Sequence, residues 1–180
     1  MGNNMPASVL EDLKEAFNKI LSLENFGVPV NELAGLIAEG EFSIDNVSDV
    51  MKRYGIRDIA QLKPQTLDMI LAYVRAVVSD NVITPKEAEN VKSLKRFFKI
   101  QEGDFYSLRR MDVEQVLDKQ LQLMFQNCVV DNKEALQKVD LQTMFDLSYD
   151  QFLKLSENAV KVAIDSGADP MDLDTFIKSN

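Results

Sequence analysis

Thr84-Pro85-Lys86-Glu87-Ala88-Glu89-Asn90-Val91-Lys92-Ser93-Leu94-Lys95-Arg96-Phe97-Phe98 reads as a helix that carries its own start signal. The Thr84 side chain can accept from the backbone N–H three residues on. Glu87 can reach back to the Thr84 amide, and Pro85 takes the first helical position, where no N–H is required. Ala88, Val91, Leu94 and Phe98 then recur at helical spacing and form one apolar face.

The same period runs through the rest of the chain. Leu10, Leu13, Phe17, Ile20 and Leu21 share one face, with Pro6 near the start. Asn25 to Pro29 interrupts, and Asn31 to Glu39 predicts a short helix stopped by Gly40. Ser43 caps a helix carrying Val47, Val50 and Met51, which ends at Gly55. Ile56 to Leu62 reads as a connector or a single turn. Pro64 opens a longer helix with Leu67, Ile70, Leu71, Val74 and Val78 on its apolar face. A further helix spans about Met111 to Gln126. Ser148 with Gln151 repeats the capping box before Phe152, Leu155, Ala159 and Ala163. Asp169 caps a last short helix. No segment alternates with period two, so no sheet is expected.

The opening stretch has a counterpart downstream. Lys86-Glu87-Ala88 recurs as Lys133-Glu134-Ala135. At the same offset Leu94 matches Leu141, Phe98 matches Phe145, Ile100 matches Leu147, Phe105 matches Phe152 and Leu108 matches Leu155. Asp80-Asn81 precedes one copy and Asp131-Asn132 the other. Neither copy could bury its stripe alone, which predicts two helix hairpins packed about a pseudo-twofold axis. The expected architecture is therefore all-α: a helical bundle with an internally duplicated helix-hairpin core at 57–180, and an N-terminal helical extension at 1–56.

Composition narrows the function. The 180 residues hold 20 Lys and Arg against 29 Asp and Glu, a formal charge of −9, with no His, no Trp and one Cys. A zinc site of the usual His/Cys kind lacks its ligands, and a Ser-His or Cys-His nucleophile lacks its base. Gly-rich phosphate loops are missing from the sequence. Carboxylate-only catalysis usually needs an aromatic-rich cleft, whereas the aromatics here are mostly Phe at core-like spacing. The expectation is a protein that is not an enzyme and has no resident organic cofactor. Negative charge disfavours nucleic acid as a partner. No run approaches a membrane-spanning length, no secretory signal is evident, and Cys128 sits among apolar neighbours, all of which predicts a cytoplasmic protein.

Asp80-Asn81-Val82-Ile83-Thr84-Pro85-Lys86-Glu87, followed by Lys92 to Phe105, resembles the TerB-like (tellurite-resistance) family. In that family Asp-Gly-x-hydrophobic-Ser/Thr-x-x-Glu opens a helix. The resemblance covers about Leu67 to Ala163. It implies an all-helical bundle, often duplicated internally, without enzymatic activity, and linked to metal binding by acidic residues and to stress-response or membrane-associated complexes. Asn81 stands where the family has Gly. The second loop, Asp131-Asn132-Lys133-Glu134, lacks the Ser/Thr-capped spacer.

Asp80, Glu87, Asp131 and Glu134 are accordingly the candidate ligands for a divalent cation, Ca²⁺ or Mg²⁺, since carboxylate oxygens suit hard ions. An EF-hand is rejected. Placing Glu87 at the last position of that loop puts Ala76 and Val78 where the first acidic ligands belong. Helix capping and turn chemistry account for Asp80 and Glu87 without an ion. The one basic island is Lys92, Lys95, Arg96 and Lys99, with Arg109 and Arg110 soon after. It reads either as a solvated helix face or as a docking patch for an acidic protein partner or, peripherally, an anionic membrane. The functional expectation is a non-catalytic interaction module, a stress-response adaptor in the terms of the resemblance. The alternative is a weak cation sensor or buffer. Oligomeric state is left open by the sequence.

Overall fold

The architecture comes from a computed structural model, which describes residues 5–80, 82–124 and 132–167. Among these the chain is all-α, with no strand. The helices are α1 (Ala7–Leu23), α2 (Val28–Glu39), α3 (Ile44–Arg53), α4 (Lys63–Val77), α5 (Pro85–Phe97), α6 (Asp104–Leu108), α7 (Arg110–Met124), α8 (Asn132–Met144) and α9 (Tyr149–Asp165). Short 3₁₀ turns at Ile59–Leu62 and Val78–Asp80 flank α4. The predicted Asp169-capped helix lies outside the described residues. No described helix is long and apolar enough to cross a membrane.

Local chemistry sets the ends. Thr84 Oγ1 accepts from the Glu87 amide at 3.2 Å and Glu87 Oε2 accepts from the Thr84 amide at 2.8 Å, which closes the capping box. Ser148 and Gln151 do the same for α9. Ser43 Oγ accepts from the Asn46 amide at the start of α3. One start differs from expectation. α2 begins at Val28 rather than Asn31, because Pro29 falls in the first turn, where its missing N–H has no intrahelical partner to lose.

Helices α2 and α3 stop on left-handed glycines, Gly40 (φ 78°) and Gly55 (φ 66°). In each case the next amide bonds back to a carbonyl five residues earlier, Glu41 to Leu36 and Ile56 to Met51. The matched segments end alike without glycine. Lys99 and Asp146 hold φ of 54° and 49°. The Ile100 amide bonds to the Lys95 carbonyl, and the Leu147 amide to the Gln142 carbonyl. Phe98, Phe105, Phe145 and Phe152 are all fully buried. Past these ends the segments diverge. α6 has 5 residues and α9 has 17, and Leu108 is exposed where Leu155 is buried.

Contacts divide the chain into two units, one within Met1–Val77 and Thr84–Gln101, the other within Val78–Ile83 and Glu102–Asn180. The first holds α1–α5, so residues 56 and 57 both lie inside it, and the two helices of the first matched segment fall in different units. Its core is built from Leu13, Phe17, Leu33, Ile37, Leu67, Ile70, Val74, Val91, Leu94 and Phe98. Each such side chain contributes about 1.5–3 kcal/mol by leaving water. Phe42 packs edge-on to Phe97 at 4.6 Å, and Phe97 edge-on to Phe98 at 5.2 Å. In the second unit α7 lies along α9, and Phe105 meets Phe145 edge-to-face at 5.4 Å. Lys138 of α8 is fully covered, with its ammonium 6.0 Å from the Phe152 ring centre, and burial lowers its pKa.

Candidate functional site

Of the four acidic candidates, only Glu87 has a described side chain. Glu87 is engaged at the head of α5, where Oε2 also accepts from the Thr84 hydroxyl at 2.7 Å. Asp80 closes the 3₁₀ turn after α4, and Glu134 lies in the first turn of α8. The side chains of both fall outside the description, as does all of Asp131. Among the described residues, no group of three or more His, Cys, Asp or Glu side chains is placed to hold a metal ion.

The basic island is split by the turn of its own helix. Lys92, Arg96 and Lys99 are exposed, while Lys95, only 7% exposed, points inward. Lys92 pairs with Glu89 at 3.3 Å. Lys99 reaches back to both oxygens of Asp58, at 2.9 and 3.0 Å. Asp58 Oδ1 also accepts from the Ala60 amide, which starts the 3₁₀ turn. That backbone bond, and after it the Lys99 ammonium, hold the Asp58 carboxyl below the ordinary carboxylate value.

Arg96 and Lys99 open onto a groove of about 600 Å³. α3 supplies Ile44, Val47, Met51 and Lys52, the connector supplies Ile56, Arg57, Asp58 and Ile59, and the end of α5 supplies Phe97. The lining thus joins an apolar floor to four cations, Lys52, Arg57, Arg96 and Lys99, against one carboxylate. Lys52 and Lys99 are partly neutralised by Asp49 and Asp58. The guanidinium groups of Arg57 and Arg96 form no ion pair or side-chain hydrogen bond among the described residues. A guanidinium fork matches a carboxylate in two parallel bonds. Ile44 at the lip is 43% exposed although it belongs to an apolar-faced helix.

A second cavity of about 660 Å³ lies between α1, α4 and α5. Its floor is polar and buried. Asn90 Nδ2 donates to the Tyr73 hydroxyl at 3.0 Å, and both residues are almost fully covered. Burial is the main cause that pushes the Tyr73 phenol up to about 12. The Glu87 and Asp12 carboxylates add to it, and the Asn90 bond opposes it.

Sequence reading found Arg96 and Lys99 but missed Ile44, Arg57, Tyr73 and Asn90 as parts of sites. One signal was present: Asn90 is a polar residue one position from Val91, on the apolar stripe of α5. Nothing local marks Arg57, whose role arises from the return of α5 to the connector. No family model, no curated protein and no solved structure matches this chain.

Proposed function

We propose that the protein is a non-catalytic helical interaction module, and that it docks an acidic, amphipathic segment of a protein partner in the groove between α3, the connector and the end of α5. The observation that carries this reading is the pair of unneutralised guanidinium groups, Arg57 and Arg96, beside the apolar lining in a chain of net charge −9. Interfaces of this kind combine buried apolar anchors with charge complementarity that steers encounter and fixes register. Lys95 takes no part, because its side chain is buried. The likeness of Asp80 to Glu87 and of Lys92 to Phe105 to the TerB-like family supports extending the reading to a stress-response adaptor.

The test is a selection of peptides from a random display library on the whole chain, followed by affinity measurement at two salt concentrations. Enriched sequences should pair Asp or Glu with Leu, Met or Phe. Their binding should weaken with salt and drop at least tenfold in the Arg57→Glu/Arg96→Glu variant. Enrichment of basic sequences, or equal binding by that variant with its fold intact, overturns the proposal.

A further inference from the structure

The outer face of α9 carries an inference independent of the groove. α9 packs along α7 and buries Phe152, Leu155, Ala159 and Ala163. The helical period turns two other rows away from that stripe. One row is charged: Asp150, Lys154, Glu157 and Lys161, at i, i+4, i+7 and i+11, alternate in sign and are all exposed. Beside it runs an apolar row, Tyr149, Leu153, Val160 and Ile164. Ile164 is 41% exposed, and the other three are half-buried. Asp150, Leu153, Lys154, Glu157 and Val160 line one open recess on this face. An apolar row of this sort is by itself only the side of a helix in water.

The charges add a separate fact. Lys154 stands four residues from Asp150 and three from Glu157, and Lys161 four from Glu157, where pairs along one helix can close. Other helices of the chain close them: Lys14 with Glu11, Lys52 with Asp49, Lys92 with Glu89. On α9 none of the four forms an ion pair or side-chain hydrogen bond among the described residues. Symmetry then decides how a second α9 can lie against this one. A parallel twofold pair sets the charged row of each copy against the apolar row of the other. An antiparallel pair keeps charged against charged and apolar against apolar. With the twofold at the level of Leu155 and Ser156, Asp150 meets Lys161 of the second copy and Lys154 meets Glu157, and the symmetry repeats both contacts. Leu153 comes against Val160 of the second copy, and Tyr149 against Ile164, within two residues of the same register, about 3 Å of helix rise.

We propose that α9 is a self-association face, on which a second copy of this chain docks antiparallel through the Leu153 and Val160 row and the pairs of Lys154 with Glu157. Identical chains pair most often through one such self-complementary patch. Charge pairs flanking an apolar seam between helices set both partner and orientation. α9 has 17 residues and is about 25 Å long. One helix face of that length falls below the roughly 800 Å² per partner of a standard interface, so the dimer is weak and reversible.

The experiment is sedimentation velocity of the whole chain at low and high salt, from about 10 to about 500 µM, a range suited to a contact of this size. A monomer–dimer equilibrium that weakens with salt is expected. Lys154→Glu and Glu157→Lys each set like charges opposite one another twice, and each should weaken the homodimer at least tenfold. Both side chains are exposed, so neither change disturbs the core. Mixed in equal amounts, the two variants should recover most of the native affinity as a heterodimer, because each new charge then meets its opposite. Arg57→Glu/Arg96→Glu should dimerise as the native chain does, which separates this face from the docking groove. A chain that stays monomeric throughout, single variants that dimerise undiminished, or a mixture no tighter than its parts overturns the proposal.

Discussion

Removing the Tyr73 hydroxyl is the sharpest probe of the first unit. Asn90 Nδ2 donates to that hydroxyl at 3.0 Å inside the fold, while Asn90 Oδ1 is unpaired. Tyr73→Phe therefore leaves a buried amide with no partner at either end, a loss of about 1–3 kcal/mol. Asn90→Leu acts differently. It deletes an oxygen that already lacked a partner, offsetting the hydroxyl it strands, so its net effect is smaller. The double variant replaces both partners by apolar groups of similar shape and should be near neutral or more stable than the native chain. The double should thus be more stable than Tyr73→Phe alone, with a coupling of about 0.5–3 kcal/mol. Urea unfolding at pH 7, followed by far-ultraviolet circular dichroism and by tyrosine fluorescence, measures all four corners of the cycle. In heat, 1 kcal/mol corresponds to about 2–4 °C for a chain of this size. Strict additivity, with the double weaker than either single by the sum, would refute the reasoning about the buried pair.

Two further outcomes concern pH. The Tyr73 phenol is pushed up to about 12, so its neutral form is favoured by folding. The stability this gives is complete below the ordinary phenol value near 10 and is lost as pH rises through 12. Absorbance at the phenolate band should show a late-titrating component that vanishes in Tyr73→Phe and moves down in Asp12→Asn. Asp58 shifts the other way, held below 3.8 by the Ala60 amide and Lys99. Its contribution is present above 3.8 and disappears as pH falls through the lowered value. Thermal melts from pH 5 to pH 2 should flatten more in Asp58→Asn than in Lys99→Ala, because the backbone bond is the larger cause; an equal response in both would contradict it.

Helix starts were legible because they are local. Thr84 with Glu87, and Ser148 with Gln151, act within three residues, so residue type and spacing suffice to place them. The apolar stripes were legible for the same reason, and Leu94, Phe98, Leu141 and Phe145 are all fully buried. The start of α2 was less legible, since Gly27 and Pro29 read locally as breakers, whereas proline breaks a helix only past its first turn. The basic island was half legible. Its four cations lie within eight residues, yet the helical turn sends Lys95 inward and Lys99 into a clasp with Asp58, 41 positions away.

What the chain determined by itself is that it is helical, where its side-chain-capped helices begin, and which stripe of each turns inward. Those properties follow from the 3.6-residue period and from hydrogen bonds that close over three to five residues. Tertiary structure alone decided what the charges do. Arg57 and Arg96 became neighbours of one groove because α3 and the end of α5 meet at the connector, and Asp12, Tyr73 and Asn90 of one cavity because α1, α4 and α5 converge there. Electrostatics and burial depend on distance through space, and spacing along the chain does not encode that distance until the helices have packed.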